Sequence, residues 1–271
     1  MKIILLFFLG ALLGVEAQAA SWVDTGIAAG KRGDWDGAIK NLEKAAETDP
    51  KSAEVLVDLS IAYLQKNNFD STLSCAQKAL KLNAKKASAW VVLGYAYEGK
   101  KDEAAAIGAF RRGIEAEPGN SDAYLALGNL YTQKGRIDSA IGSYEDAIKA
   151  DGKAVFAYCN LAYIFEARKD FEKARQYLEK ASKISPQDEV VWYDLGEIYT
   201  KLGNHARAIE YYEKSYGLNP KYYKATLSLA MAYEKKRNLE KAAEFYVKSL
   251  SLTDDPKTKE AILRQITRAS E

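Results

Sequence analysis

The chain has 271 residues, of which 48% are hydrophobic, 28% charged and only 5 are proline, a composition that folds and is not that of a disordered tail. Its 39 basic and 37 acidic side chains leave a net charge of +2 and are interspersed along the whole length. There is therefore no basic stripe to neutralise nucleic-acid phosphates and no polybasic segment for an anionic membrane surface, while the length admits one or two globular domains or one elongated repeat array.

The first element in chain order is a leader. Met1-Lys2 is followed by an apolar run from Ile3 to Val15 and then by Glu16-Ala17-Gln18-Ala19-Ala20, a charged start, a hydrophobic stretch and a small-x-small cleavage site. Residues 1–19 are thus expected to be a signal peptide. The competing reading is a retained anchor, but this run falls short of the about 20 apolar residues that a spanning helix needs. No integral membrane span is expected after cleavage, and the protein is expected to be exported, periplasmic or secreted. No Cys follows the run, so a lipid-modified N-terminus is not expected.

From residue 20 to 256 the chain repeats itself every 34 residues without a gap. Ala38, Thr72, Ala106, Ala140, Ala174, Ala208 and Ala242 stand at one register; Leu59, Leu93, Leu127, Leu161, Leu195 and Leu229 at another; Tyr63, Tyr97, Tyr131, Phe165, Tyr199 and Tyr233 at a third. A fourth register is small throughout, with Gly26, Ser60, Gly94, Gly128, Ala162, Gly196 and Ala230, and Pro50, Pro118, Pro186 and Pro220 mark unit ends. Within a unit the apolar residues follow helical spacing in two stretches, as at Trp90, Leu93, Tyr97 and at Ala106, Ile107, Phe110, so each unit is predicted to be two short helices. The turn between them falls where Gly33, Asn67, Gly135 and Gly203 occur.

The first unit fits with Trp22 and Gly26 but carries Ala29 in place of the large aromatic. The second departs most, with Ser60, Thr72, Ala76 and Ala84 at signature places. In the third, Trp90-Val91-Val92-Leu93-Gly94-Tyr95-Ala96-Tyr97 with Ala106, Phe110 and Pro118 resembles the tetratricopeptide-repeat pattern W-x2-L-G-x2-Y, A-x3-F and P. The fourth repeats it with Tyr124, Leu127, Gly128, Tyr131, Ala140 and Tyr144, the sixth with Trp192, Leu195, Gly196, Tyr199, Ala208, Tyr212 and Pro220. Residues 257–271 read as one more helix, with Ile262, Ile266 and Ala269 on one face, which suits a C-terminal capping helix. The resemblance implies an all-α fold, a right-handed α-solenoid of about seven helix-turn-helix units with that cap, acting as a non-enzymatic scaffold for protein or peptide partners.

Little in the chain points to chemistry. His205 is the single histidine, so a multi-histidine metal site has no material and a histidine triad has one candidate; His205 is expected as an exposed residue of the turn in the sixth unit, with no Ser or Cys nucleophile that has a reason to be near it. Glycine-rich phosphate loops are absent, and no catalytic residue, metal or cofactor is expected. Cys75 in a second helix of unit two and Cys159 in a first helix of unit five are too far apart in a stack of neighbour-only contacts to form a disulfide, and they read as small packing residues.

In the family the first helices line a concave groove that holds extended peptides. The resemblance therefore makes their non-signature residues the candidate peptide-binding set: Tyr95 and Glu98, Asn129 and Gln133, Tyr163 and Glu166, Tyr193 and Glu197, with Asn160 adding an amide. Tyr and Glu three or four apart share a helix face, and the pairs are expected to repeat one arrangement that takes an extended segment with basic and apolar side chains. Some family members clamp acidic C-terminal tails with Lys, Arg and Asn; Val91, Tyr95, Leu125 and Asn129 stand at those places here, which does not support that specificity. The alternative function is an envelope-assembly or secretion-machine component docked on a larger complex, and self-association of the array is a further expectation.

Overall fold

The computed structural model describes residues 18–270, so the expected leader lies outside the described residues in all but its last two positions. Among the described residues the secondary structure is entirely helical: α1 over 18–31, then α2 (Trp35–Thr48), α3 (Ala53–Gln65), α4 (Phe69–Leu82), α5 (Ala87–Gly99), α6 (Glu103–Ala116), α7 (Ser121–Gln133) and α8 (Ile137–Ala150). There follow α9 (Val155–Ala167), α10 (Phe171–Ile184), α11 (Glu189–Lys201), α12 (His205–Leu218), α13 (Tyr223–Lys235), α14 (Leu239–Leu250) and α15 (Pro256–Ser270). The chain divides into two compact halves, Met1–Gly152 and Lys153–Glu271. The first holds the pairs α1–α2 to α7–α8; the second holds α9–α10 to α13–α14 and ends with α15.

Each pair closes on the same turn. Residues 33, 67, 101, 135, 169, 203 and 237, one per period, all have positive φ between 55° and 78°. Glycine occupies three of them and Asn67 a fourth, as the sequence predicts; Lys101, Lys169 and Arg237 take the same left-handed conformation without glycine's freedom. The next residue caps the second helix: the side chains of Asp34, Asn68, Asp102, Asp170, Asn204 and Asn238 each accept from a backbone N–H three residues on, and only Arg136 has no such bond. A left-handed residue followed by a short polar cap is what turns the chain back on itself, and it depends on residues within a few positions of each other.

The two helices of a pair are built differently. Second helices bury one stripe, such as Ala174, Leu178 and Ala181 in α10, and leave the other faces wet. First helices are apolar nearly all round, because they pack against their own second helix and against neighbouring pairs: α5 buries Ala87, Ala89, Val91, Val92, Leu93, Gly94 and Ala96. The small register explains itself at Gly128, where a Cβ would stand 2.6 Å from the ring of Tyr144. Fully buried Phe110, Tyr144 and Tyr212 lie against Gly94, Gly128 and Gly196, so glycine on the first helix and an aromatic ring on the second form one joint, and any added methyl forces the helices apart.

Three local findings complete the fold. His205 is not an exposed turn residue; it is the first residue of α12, half-buried, with Nδ1 enclosed and unpartnered, because Asn204 takes the capping position. Cys75 and Cys159 are free thiols on α4 and α9. After α14 the chain leaves its period: Asp255 accepts from the Thr258 N–H at 2.9 Å and starts α15, which buries Ile262.

Candidate functional site

The first helices carry the candidate residues, and the structure links most of them in rungs from one first helix to the next. In the N-terminal half, Tyr95 on α5 is half-buried with its ring edge-on to Phe110 at 5.3 Å, and it is hydrogen-bonded to Asn129 on α7. Burial, with Glu98 and Asp122 adding, pushes its hydroxyl up to about 12. One turn on, Glu98 is hydrogen-bonded to Gln133; burial raises its carboxyl while Lys134 pulls it back. Asn129 Oδ1 also accepts the Tyr144 hydroxyl at 2.8 Å, and Thr132 Oγ1 lies 3.1 Å from the same hydroxyl, so the phenol at the joint with Gly128 is satisfied from two sides.

In the C-terminal half the same face is more acidic and more aromatic. Tyr163 on α9, 44% exposed, donates to Asp194 Oδ2 on α11 at 2.6 Å. Asp194 is only 8% exposed. Burial pushes its carboxyl up to about 6, the charges of Glu166, Glu197 and Asp188 push the same way, and the bond from Tyr163 opposes them. Burial first, then that bond, raises Tyr163 in turn, and burial lifts the Cys159 thiol to about 12 with help from Asp194. Glu166 pairs with Lys201.

Tyr193 sits beside Asp194 in sequence, edge-on to Tyr222 at 5.4 Å and tilted over Tyr212 at 5.9 Å; burial, with Glu197 adding, raises its hydroxyl to about 12. Glu197 accepts from the Tyr212 hydroxyl at 2.5 Å and from Ser228 on α13 at 3.2 Å. Asn160 is half-buried on α9. The expected repetition of one Tyr–Glu arrangement holds for Tyr95–Glu98 and Tyr163–Glu166, which share a register. It does not extend to Tyr193–Glu197, because one period after Tyr163 falls Glu197, and Tyr193 stands a turn earlier against Tyr222.

Asp194, Tyr222 and Ser228 are the residues that the sequence reading passed over. A signal for two of them was present: Asn160, Asp194 and Ser228 are one period apart and continue a register that in the N-terminal half holds Asp24, Asp58, Val92 and Ala126. Tyr222 gives no such signal, since it lies before α13, at the N-cap, and reaches Tyr193 only through the fold.

The arrangement offers phenol rings, carboxylates and amides, and among the described residues no group of His, Cys, Asp and Glu is placed to hold a metal ion. No helix of the described residues is long and apolar enough to cross a membrane. Three sequence profiles, each described as tetratricopeptide repeat, match the chain: one over residues 31–93 and 97–158, one over 154–221 and one over 192–255. No curated protein sequence matches it. Among solved structures, yeast Tom70 is similar with 20% identity and a TM-score of 0.69 over 93% of this chain and 53% of that one. Pseudomonas aeruginosa pilF is similar with 16% identity and a TM-score of 0.65 over 79% and 97%. A tetratricopeptide repeat protein from Parabacteroides merdae has 16% identity and a TM-score of 0.56 over 93% and 99%. The chain spans about half the length of the yeast protein, and these likenesses show the fold.

Proposed function

Because this chain belongs to the tetratricopeptide-repeat family, whose fold serves protein–protein interaction, we propose that it is a non-enzymatic scaffold holding an extended partner segment along its first helices, with basic and apolar side chains taken by the C-terminal half. The observation that carries this reading is Asp194: a carboxylate nine-tenths buried, kept company by Glu166, Glu197 and Asp188, and steadied by one phenol. A carboxyl crowded by like charges favours an incoming cation. The tyrosines Tyr163, Tyr193 and Tyr222 around it supply ring faces for the stem and head of a Lys or Arg. Lys201, spent on Glu166, is the cation that α11 contributes.

The test is titration of the full chain with a fluorescent peptide of alternating Lys and Leu, beside its Glu–Leu counterpart. At pH 7.5 the basic peptide binds and the acidic one does not. Asp194→Asn weakens binding at least tenfold, the loss of one close charge pair. Acidification from pH 7.5 to 5 weakens it too, because Asp194 takes up a proton near 6. Tyr163→Ala with Tyr193→Ala removes capture while helicity is kept. Equal affinity for the two peptides overturns the reading. The leader read over residues 1–19 supports a place outside the cytoplasm, periplasmic or secreted. N-terminal sequencing of the protein from its native compartment tests this, and an intact Met1 there counts against it.

A further inference from the structure

The second repeat lacks a ring that the fifth, sixth and seventh repeats possess. In the fifth, sixth and seventh repeats the aromatic at the register of Tyr63 stacks on a second ring carried by the second helix. Phe165 stacks on Tyr177 at 5.6 Å and 12°, Tyr199 on Tyr211 at 5.2 Å and 27°, and Tyr233 on Phe245 at 5.8 Å and 11°. A lysine on the same helix covers that second ring: Lys180 lies 5.8 Å from Tyr177, Lys214 5.0 Å from Tyr211 and Lys248 4.5 Å from Phe245. In the sixth repeat Trp192 closes the stack from the other side, 5.8 Å from Tyr211.

The second repeat keeps the surroundings of this stack and omits its centre. Tyr63 is present, and its hydroxyl bonds Glu43 as Tyr199 bonds Glu179 and Tyr233 bonds Glu213, each 20 residues back. Lys78 stands at the register of Lys180, Lys214 and Lys248. Where Tyr177, Tyr211 and Phe245 stand, however, this repeat has Cys75, and where Trp192 stands it has Leu56. From the second to the seventh repeat it is the only one with no aromatic at either place: Trp90, Tyr124, Tyr158 and Trp192 or Tyr177, Tyr211 and Phe245 supply one or both elsewhere. The consequence is a cleft of about 740 Å³ between α2 and α4, floored by α3, with Leu56, Tyr63, Cys75 and Lys78 in its lining. Its size is within the range of ligand sites.

We infer that this cleft is a docking site for an aromatic side chain of a partner polypeptide, which inserts between Tyr63 and Leu56 beneath Lys78 and completes the stack that the fifth, sixth and seventh repeats build from their own residues. The ring gains a stacking face from Tyr63, a cation from Lys78 and an apolar floor from Leu56 and Cys75. The rim favours a polypeptide as the bearer of that ring, because Glu43 and Glu47 of α2 face Lys78 and Lys81 of α4, opposite charges flanking a chain laid across the opening. This site lies on the second-helix side of the N-terminal half and is independent of the carboxylate face around Asp194.

The experiment is an NMR titration of the full 15N-labelled chain with the blocked tripeptides acetyl-Gly-Trp-Gly-amide and acetyl-Gly-Leu-Gly-amide, and with free indole. The Trp tripeptide is expected to shift the amides of α3 and α4 saturably and to bind about tenfold more tightly than the Leu tripeptide, the worth of a good ring contact. Cys75→Tyr, which installs the sixth repeat's own ring, should abolish those shifts with helicity retained. Leu56→Trp fills the cleft from the other wall and gives the same readout should the first variant not fold. Lys78→Ala should weaken binding about threefold, the scale of an exposed cation–π contact. Trp and Leu tripeptides of equal affinity, or shifts that persist in both filled variants, overturn the proposal. Indole binding as tightly as the Trp tripeptide overturns the polypeptide as occupant.

Discussion

The two halves use one turn and one joint but present different first-helix faces. In the N-terminal half the register of Asp194 holds Val92 and Ala126, both buried, and a half-buried acid, Asp58, that faces the charge of Lys86, while the register of Tyr193 holds Val57 and Val91. In the C-terminal half the same places hold Asn160, Asp194 and Ser228, and Cys159 and Tyr193. The difference teaches that a register serving as plain core in one pair can carry a buried carboxylate in another, provided that a neighbouring first helix supplies a donor. Tyr163 is that donor; its counterpart in the N-terminal half, Tyr95, stands at the same register before Ala126 but is hydrogen-bonded to Asn129 instead.

The sharpest way to break this comparison is to transplant the acid. Ala126→Asp in a Tyr95→Phe background places a carboxylate at a fully buried site of α7 with the donor in Tyr163's place removed, and relative to Tyr95→Phe alone it should cost about 3–5 kcal/mol in urea denaturation, the scale of an uncompensated buried charge. A cost under about 1 kcal/mol would show that the donor is not what makes Asp194 tolerable.

Next in size is the pH dependence. The carboxyl of Asp194 is about 6 in the folded protein and near its ordinary 3.8 when unfolded, so between those values the folded state holds a proton that the unfolded state has released. Stability therefore falls as pH rises through this window, by up to about 3 kcal/mol, and the full cost is present above 6. Urea melts at pH 5 and 7.5 should show the C-terminal half more stable at pH 5, with the difference largely removed by Asp194→Asn. The lowered carboxyls Glu54, Glu189 and Asp255 act with the opposite sign, below the ordinary carboxylate range, while Asp58 and Glu98 of the N-terminal half, raised by burial, act with the same sign, so the part removed by Asp194→Asn is the share of Asp194. Binding of the basic peptide moves against stability over the same span, a crossing that a general acid effect would not produce.

Smaller again is Tyr163→Phe. It removes the donor and should cost about 1.5–2 kcal/mol at pH 7.5, a hydrogen bond to a charged group, and less at pH 5 where Asp194 is protonated. Smallest are Lys101→Gly and Lys169→Gly, each relieving a left-handed residue and each worth about 0.5–1 kcal/mol of added stability. Their equality, measured by thermal denaturation, would locate the difference between the halves in the face and not in the turn.

The helix pairs were legible because period, proline and the small register all reflect contacts made within one repeat or with its neighbour. Gly94, Gly128 and Gly196 announce close approach before any coordinate is known, although the ring that requires each is 16 residues on. The turns at Lys101, Lys169 and Arg237 were hidden because a long side chain gives no hint of positive φ; only the alignment with Gly33, Gly135 and Gly203 reveals it. At the candidate face, Tyr163 and Tyr193 could be named as first-helix residues outside the repeat signature, as the resemblance implies, but what Tyr163 holds could not. Asp194 lies 31 residues away, on the next first helix, and its burial is a property of packing. The opening beside Cys75 escaped notice for the converse reason: a missing ring leaves no residue to point at, and shows only when Tyr177, Tyr211 and Phe245 are set beside it.

The capped turn has a kinetic meaning. Each pair is closed by bonds spanning a handful of residues, as when Asp170 caps α10 directly after Lys169 reverses the chain, so little loop entropy is lost before the first contacts form. Folding of such a chain can start in any pair and spread outward, and opening begins where a pair lacks a neighbour on one side. Amide exchange should accordingly be slowest in the interior pairs of each half and fastest in α1 and α15, where a protease would make its first cut.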